Sequence, residues 1–162
     1  MESVHVKRSD VWEKWLGALR GGTYRQGASK LRSIGVDNYL SRGETLHCCL
    51  GVGCDILGVE WFEPGVLDDT STSGEESFGY VSLDRGYLPK WAQLVFGFDT
   101  HSPKVLVNDK RDEASLGYVA DLNDSGDWNF TEIAERLEAT FPELVNDDTL
   151  VKVPKAFMEK LI

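Results

Sequence analysis

The chain has 162 residues, 41% of them hydrophobic and 27% charged, a length that suits one domain with a core of its own. Its formal net charge of −10 disfavours duplex nucleic acid as a partner, and no run of about 18 apolar residues is present to form a membrane-spanning helix. Three clustered cysteines, Cys48, Cys49 and Cys54, do not make a secreted disulfide framework, and the segment MESVHVKRSD has no apolar stretch of the export type, so a cytoplasmic protein is expected.

In chain order, the first predicted element is a helix. Asp10 with Glu13 reads as a capping box. Val11, Trp12, Trp15, Leu16 and Leu19 recur at helical spacing, and Gly21-Gly22 is the stop. Residues 23–32 are too polar for a core strand and read as a loop or short extended segment, followed by a loop over 35–45. The apolar run from His47 to Leu57 has the length of a buried helix, and Gly51 and Gly53 within it would admit another backbone closely. Gly58 ends it, and Glu60-Trp61-Phe62 reads as a strand.

The run over 68–77 is a polar loop that cannot bury enough surface to order itself. A strand is expected over Phe78–Leu83, a short helix opened by Pro89, and a strand at Val105–Val107 turned by Asn108-Asp109. Residues 116–122 fit either strand or helix. Asn129 and Glu132 form a second capping box, ahead of a helix carrying Ile133, Ala134, Leu137 and Phe141 and closed by Pro142. Pro154 is expected to open a last short helix. These elements make a single α+β domain over residues 1–162, with helices on a small antiparallel sheet.

Several of these stretches recur together in a known pattern. Trp15-Leu16-Gly17-Ala18-Leu19-Arg20-Gly21-Gly22 with Tyr24, Gln26-Gly27 and Leu31-Arg32 is followed by Cys48-Cys49-Leu50-Gly51-Val52 with Cys54-Asp55. Leu88-Pro89 with Trp91-Ala92 comes next, and then Leu122-Asn123-Asp124 with Gly126, Phe130, Ile133-Ala134 and Glu138. Over residues 11–141 this order resembles a widespread family of small, uncharacterised phage and prophage proteins. His47 and Gly53 depart from the pattern, and the segment 65–86 and the tail 142–162 lie outside it, the tail reading as an appendage. The resemblance implies a phage-derived protein in a bacterial cytoplasm and implies no reaction.

Charge is unevenly spread: residues 1–42 hold eight basic and four acidic side chains, and 43–162 hold nine and twenty-three. The basic part supplies the leading candidate site, Arg20, Tyr24, Arg25, Gln26, Lys30 and Arg32. Arginine presents a planar fork of donors to phosphate, Gly21, Gly22 and Gly27 open the backbone to an anion, and Tyr24 and Gln26 suit an aromatic base. Asn123-Asp124-Ser125-Gly126-Asp127 reads as a turn ahead of a helix, and Asn123 and Asp124 complete the candidate ligand-binding set.

His47 with the cysteines lacks the second pair of a zinc site. A cysteine nucleophile would need His5, His47 or His101 as base, so the thiols read as core. No metal and no cofactor are expected. The function expected from residues and resemblance together is a phage-encoded, homo-oligomeric binding protein. It would sequester an anionic small molecule such as a nucleotide signal of host immunity. One alternative is an acidic surface that inhibits a host protein or mimics DNA, drawing on Asp68, Asp69, Glu75, Glu76, Asp109, Asp112, Glu113, Asp121, Asp124 and Asp127. Another is a small hydrolase.

Overall fold

Two tryptophans one helical turn apart, Trp12 and Trp15, lie at the centre of the fold. The computed structural model describes residues 1–34, 44–63, 77–107, 116–126 and 128–159. A strand, β1 (Ser3–Lys7), runs directly into helix α1 (Arg8–Arg20), which buries Val11, Trp12, Trp15, Leu16 and Leu19, the face set by the 3.6-residue period. The helix starts earlier than the expected Asp10 cap: Lys7 is the N-cap and its side chain makes no cap bond. The reason is main-chain. Arg8 N–H donates to Thr149 O (2.9 Å) and Ser9 N–H to Asp147 O (2.8 Å), so the first-turn donors that a capping side chain would serve are already satisfied. Asp10 sits in the first turn, where a carboxylate suits the helix dipole.

After Gly22, at φ 73°, come three short strands, β2 (Arg25–Gln26), β3 (Arg32–Ile34) and β4 (Thr45–His47), in the order β2-β4-β3. β2 is parallel to β4 and β3 antiparallel to it. The expected buried helix is α2 (Cys49–Ile56). Its Gly51 has a steric purpose, since a Cβ there would stand 1.7 Å from the carbonyl oxygen of Leu31. The backbone of the basic segment therefore lies directly on α2.

Strands β5 (Glu60–Phe62) and β6 (Tyr80–Ser82) pair in parallel. Helix α3 (Lys90–Phe96) follows Pro89, which is its N-cap. Strands β7 (Lys104–Leu106) and β8 (Leu116–Tyr118) pair antiparallel, and β8 leads into α4 (Val119–Asp124). The stretch 116–122 is thus strand and then helix. Asn123 and Asp124 close that helix instead of forming a turn, and the positive φ falls on Gly126, at 77°. Helix α5 (Phe130–Thr140) carries the full Asn129–Glu132 capping box.

Pro142 ends α5 and opens a further turn, α6 (Pro142–Val145); β9 (Leu150–Pro154) and α7 (Ala156–Glu159) complete the chain. The tail is not an appendage. β9 pairs antiparallel with β1, Ser3 opposite Pro154 and Lys7 opposite Leu150, and Val151, Val153 and Phe157 belong to the core. Pro154 ends a strand where a helix start was expected, because the two-residue alternation of Leu150-Val151-Lys152-Val153 is that of a strand with one buried face.

The core is aromatic at its centre. The rings of Trp12 and Trp15 are 5.1 Å apart and those of Trp15 and Phe96 4.6 Å. Each indole N–H finds a carbonyl, Trp12 that of Phe96 and Trp15 that of Cys49, both at 3.0 Å, as buried tryptophans require. The result is the single-domain α+β fold expected. Its described strands fall into four sheets of two or three strands instead of one, and two of the pairings are parallel. Among the described residues no helix is long and apolar enough to cross a membrane. The loops expected over 35–45 and 68–77 lie outside the described residues except for Glu44, Thr45 and Ser77, and so do the turn at Asn108-Asp109 and Asp127.

Candidate functional site

The basic segment divides into parts with different surroundings. Its first part is an anchor. Asn123, 2% exposed, donates from its amide nitrogen to the Gly27 carbonyl (2.7 Å) and to Asp124 Oδ1 (3.2 Å). Its oxygen accepts from the N–H of Cys49 and from Nε2 of Gln26, both at 3.1 Å. Gln26 also donates to the Trp128 carbonyl (2.8 Å), and Asp124 accepts from the N–H of Ser29 (3.0 Å). Leu31 closes the segment, its N–H donating to Arg85 O (2.8 Å) and its carbonyl accepting from Cys48 N–H (3.3 Å). Gln26, Asn123 and Asp124 therefore come together, and they hold the segment to α2 and α4.

The candidate arginines diverge. Arg20 pairs with Glu138 (3.1 Å) beside a depression floored by Leu16 and Gly17. Arg25 pairs with Glu44 (2.9 Å). In the β2-β4-β3 sheet Arg25 is in register with Leu46 and Arg32 with His47. Neighbours in register share a face and successive residues alternate, so Arg25 and Arg32 belong to opposite faces. The guanidinium groups do not converge on one cavity, and two of them are matched to carboxylates.

The third part is a cluster on the Arg32 face. Asp55, the one charged residue of α2, accepts the Tyr24 hydroxyl (2.5 Å) and the Trp61 indole N–H (3.1 Å), one on each carboxylate oxygen. The buried His47 ring lies between these partners, 5.0 Å from the Tyr24 ring at 87° and 6.1 Å from that of Trp61 at 65°. Arg32 lies over the Trp61 ring at 5.6 Å, within cation–π range. Burial, then the hydrogen bond to Asp55 and its charge, push the Tyr24 phenol well above its ordinary value of 10.0, so the hydroxyl stays a donor at neutral pH. Among the described residues neither Lys30 nor Arg32 forms an ion pair.

The sequence reading did not single out Asp55 or Trp61 as site residues. A signal was present: a lone acid within the otherwise apolar Cys49–Ile56 is costly unless paired.

The chain belongs to the family described as a domain of unknown function (DUF8296). The family model matches residues 7–141 and so contains the anchor, the Asp55 cluster and the arginines, while β9 lies beyond it. No curated protein and no solved structure matches the chain.

The cysteines of this family member face the core. Cys48, Cys49 and Cys54 are buried and form no disulfide among the described residues. Desolvation pushes the Cys48 thiol up to about 11 and that of Cys49 well above its ordinary value, the opposite of what an activated nucleophile needs. Cys48 instead caps α2, its sulfur accepting from Gly51 N–H (3.4 Å). Among the described residues no group of three His, Cys, Asp or Glu side chains is arranged to hold a metal ion.

Proposed function

We propose that this chain is a phage-encoded binding protein that takes up an anionic, aromatic small molecule, nucleotide-like in chemistry, in the bacterial cytoplasm and so withholds a host immune signal. The site is narrower than the whole basic segment: Arg32 and Lys30 meet the phosphate, and the Trp61 and Tyr24 rings offer the surface on which a base stacks. One observation carries the reading. Arg32 is held over Trp61 and forms no ion pair among the described residues, which leaves its donor fork available to an anion. The phage setting rests on the resemblance of residues 11–141. Binding is favoured over turnover because the buried, proton-holding thiols supply no nucleophile.

The test is thermal denaturation with a panel of cyclic and linear nucleotides. Free ligand at about 100 times its dissociation constant adds about 2.7 kcal/mol of stability. That gain is expected to vanish in Arg32→Ala and to persist in Arg20→Ala, and ligand released by heating is expected chemically unchanged. No shift with any nucleotide, or a shift lost in Arg20→Ala but kept in Arg32→Ala, rejects the reading.

A further inference from the structure

We infer that the free edge of β1 is a self-association site, on which a second copy of this chain pairs antiparallel to build a four-stranded sheet in the order β9-β1-β1-β9. The inference does not rest on the ligand reading. Among the described residues β1 has a single sheet neighbour, β9. The bonds at the two ends of their ladder, Lys155 N–H to Glu2 O (3.0 Å) and Arg8 N–H to Thr149 O (2.9 Å), set the parity of the strand. Main-chain groups of the even-numbered residues face β9, and those of Ser3, His5 and Lys7 face away. Among the described residues no hydrogen bond from another element reaches the main chain of Ser3 or His5 on that side. The far edge of β9 is blunted in a way natural sheets use: Pro154 offers no donor there. β1 contains no proline, and its Val4 and Val6 remain only half-buried while Val151 and Val153 opposite them are buried.

The occupant follows from the pattern of the strand. Antiparallel pairing about a two-fold axis at His5 sets each His5 against its copy, each Val4 against Val6 of the second copy and each Ser3 against Lys7 of the second copy. The half-buried valines then meet valines on the inner face, and polar side chains meet polar ones on the outer face. Glu2, which also pairs with Lys155 of its own chain at 3.4 Å, comes beside the exposed Lys7 of the other copy, whereas parallel pairing would set Glu2 beside Glu2 and Lys7 beside Lys7. His5 N–H and carbonyl are exchanged twice, and Lys7 N–H meets the Ser3 carbonyl twice. Such an isologous contact closes on itself and stops at a dimer. A two-stranded ribbon is marginal by itself, and β-augmentation is the usual use of an exposed edge.

His5→Pro tests the contact selectively. It removes the outward N–H while the ladder bonds at Val4 and Val6 stay in place, and proline is tolerated at an edge. Sedimentation equilibrium is expected to give twice the chain mass for the wild type and once the chain mass for His5→Pro, with the same circular dichroism spectrum. His5→Cys serves as a check independent of the proline variant's folding. Cα atoms of a narrow antiparallel pair stand about 5.5 Å apart, within disulfide reach, and mild oxidation is expected to link two chains through position 5. A wild type that stays monomeric into the millimolar range, a folded His5→Pro that stays dimeric, or a His5→Cys that does not cross-link overturns the inference.

Discussion

Two polar centres flank the same short sheet, and they are built differently. Around Asn123 the partners are largely main chain: the Gly27 carbonyl and the Cys49 N–H, with Gln26 reaching on to the Trp128 carbonyl. Around Asp55 the partners are side chains, the Tyr24 hydroxyl and the Trp61 indole, with an imidazole between the rings and an arginine over one of them. Main-chain partners cannot change without changing the fold, so the Asn123 centre reads as architecture. Side-chain partners can exchange one contact for another when a ligand arrives, so the Asp55 centre is where binding chemistry is expected. The two centres should therefore separate stability from binding.

The sharpest break on the architectural side is Gly51→Ala. The added methyl would sit 1.7 Å from the Leu31 carbonyl oxygen, and a main-chain atom cannot rotate away as a side-chain tip can. Overpacking of this kind costs about 3 kcal/mol or more, and urea denaturation is expected to show a loss of that size. Asn123→Ala comes next. It strands a buried Cys49 N–H and the Gly27 carbonyl, each unsatisfied group costing about 1–3 kcal/mol, for an expected loss of about 3 kcal/mol. If either variant melts like the wild type, the anchor is not architectural and the contrast between the two centres collapses.

The helices were legible because their signals are local. The apolar stripe of Val11 to Leu19, the Asn129–Glu132 box and the buried run around Gly51 each depend on residues within a few turns of one another. The β1–β9 pair was not legible, because it joins residues near opposite ends of the chain and each strand is only five residues long. The candidate site was legible in composition and not in convergence. That Tyr24 and Arg32 belong near one cluster depends on a helix acid, Asp55, and a strand tryptophan, Trp61. That Arg25 is turned away depends on a one-residue register relation in β4, and such relations are fixed by tertiary pairing instead of by sequence spacing.

The smallest effect is expected on the binding side, in Tyr24→Phe. It removes one hydrogen bond to a carboxylate in a half-buried place, for a loss of about 1–2 kcal/mol near neutral pH, below both anchor variants. The pH dependence identifies its cause. The folded phenol titrates above its ordinary value of 10.0, so the hydroxyl's contribution is complete below pH 10 and fades as pH rises through the folded value. Melting curves of wild type and Tyr24→Phe should differ most between pH 7 and about 9 and draw together in stronger base, and absorbance titration should show one late-ionising phenol that the variant lacks. A difference that stayed constant in strong base would show that the contribution does not come from the protonated hydroxyl's bond to Asp55, and Asp55 would then be held by the Trp61 indole.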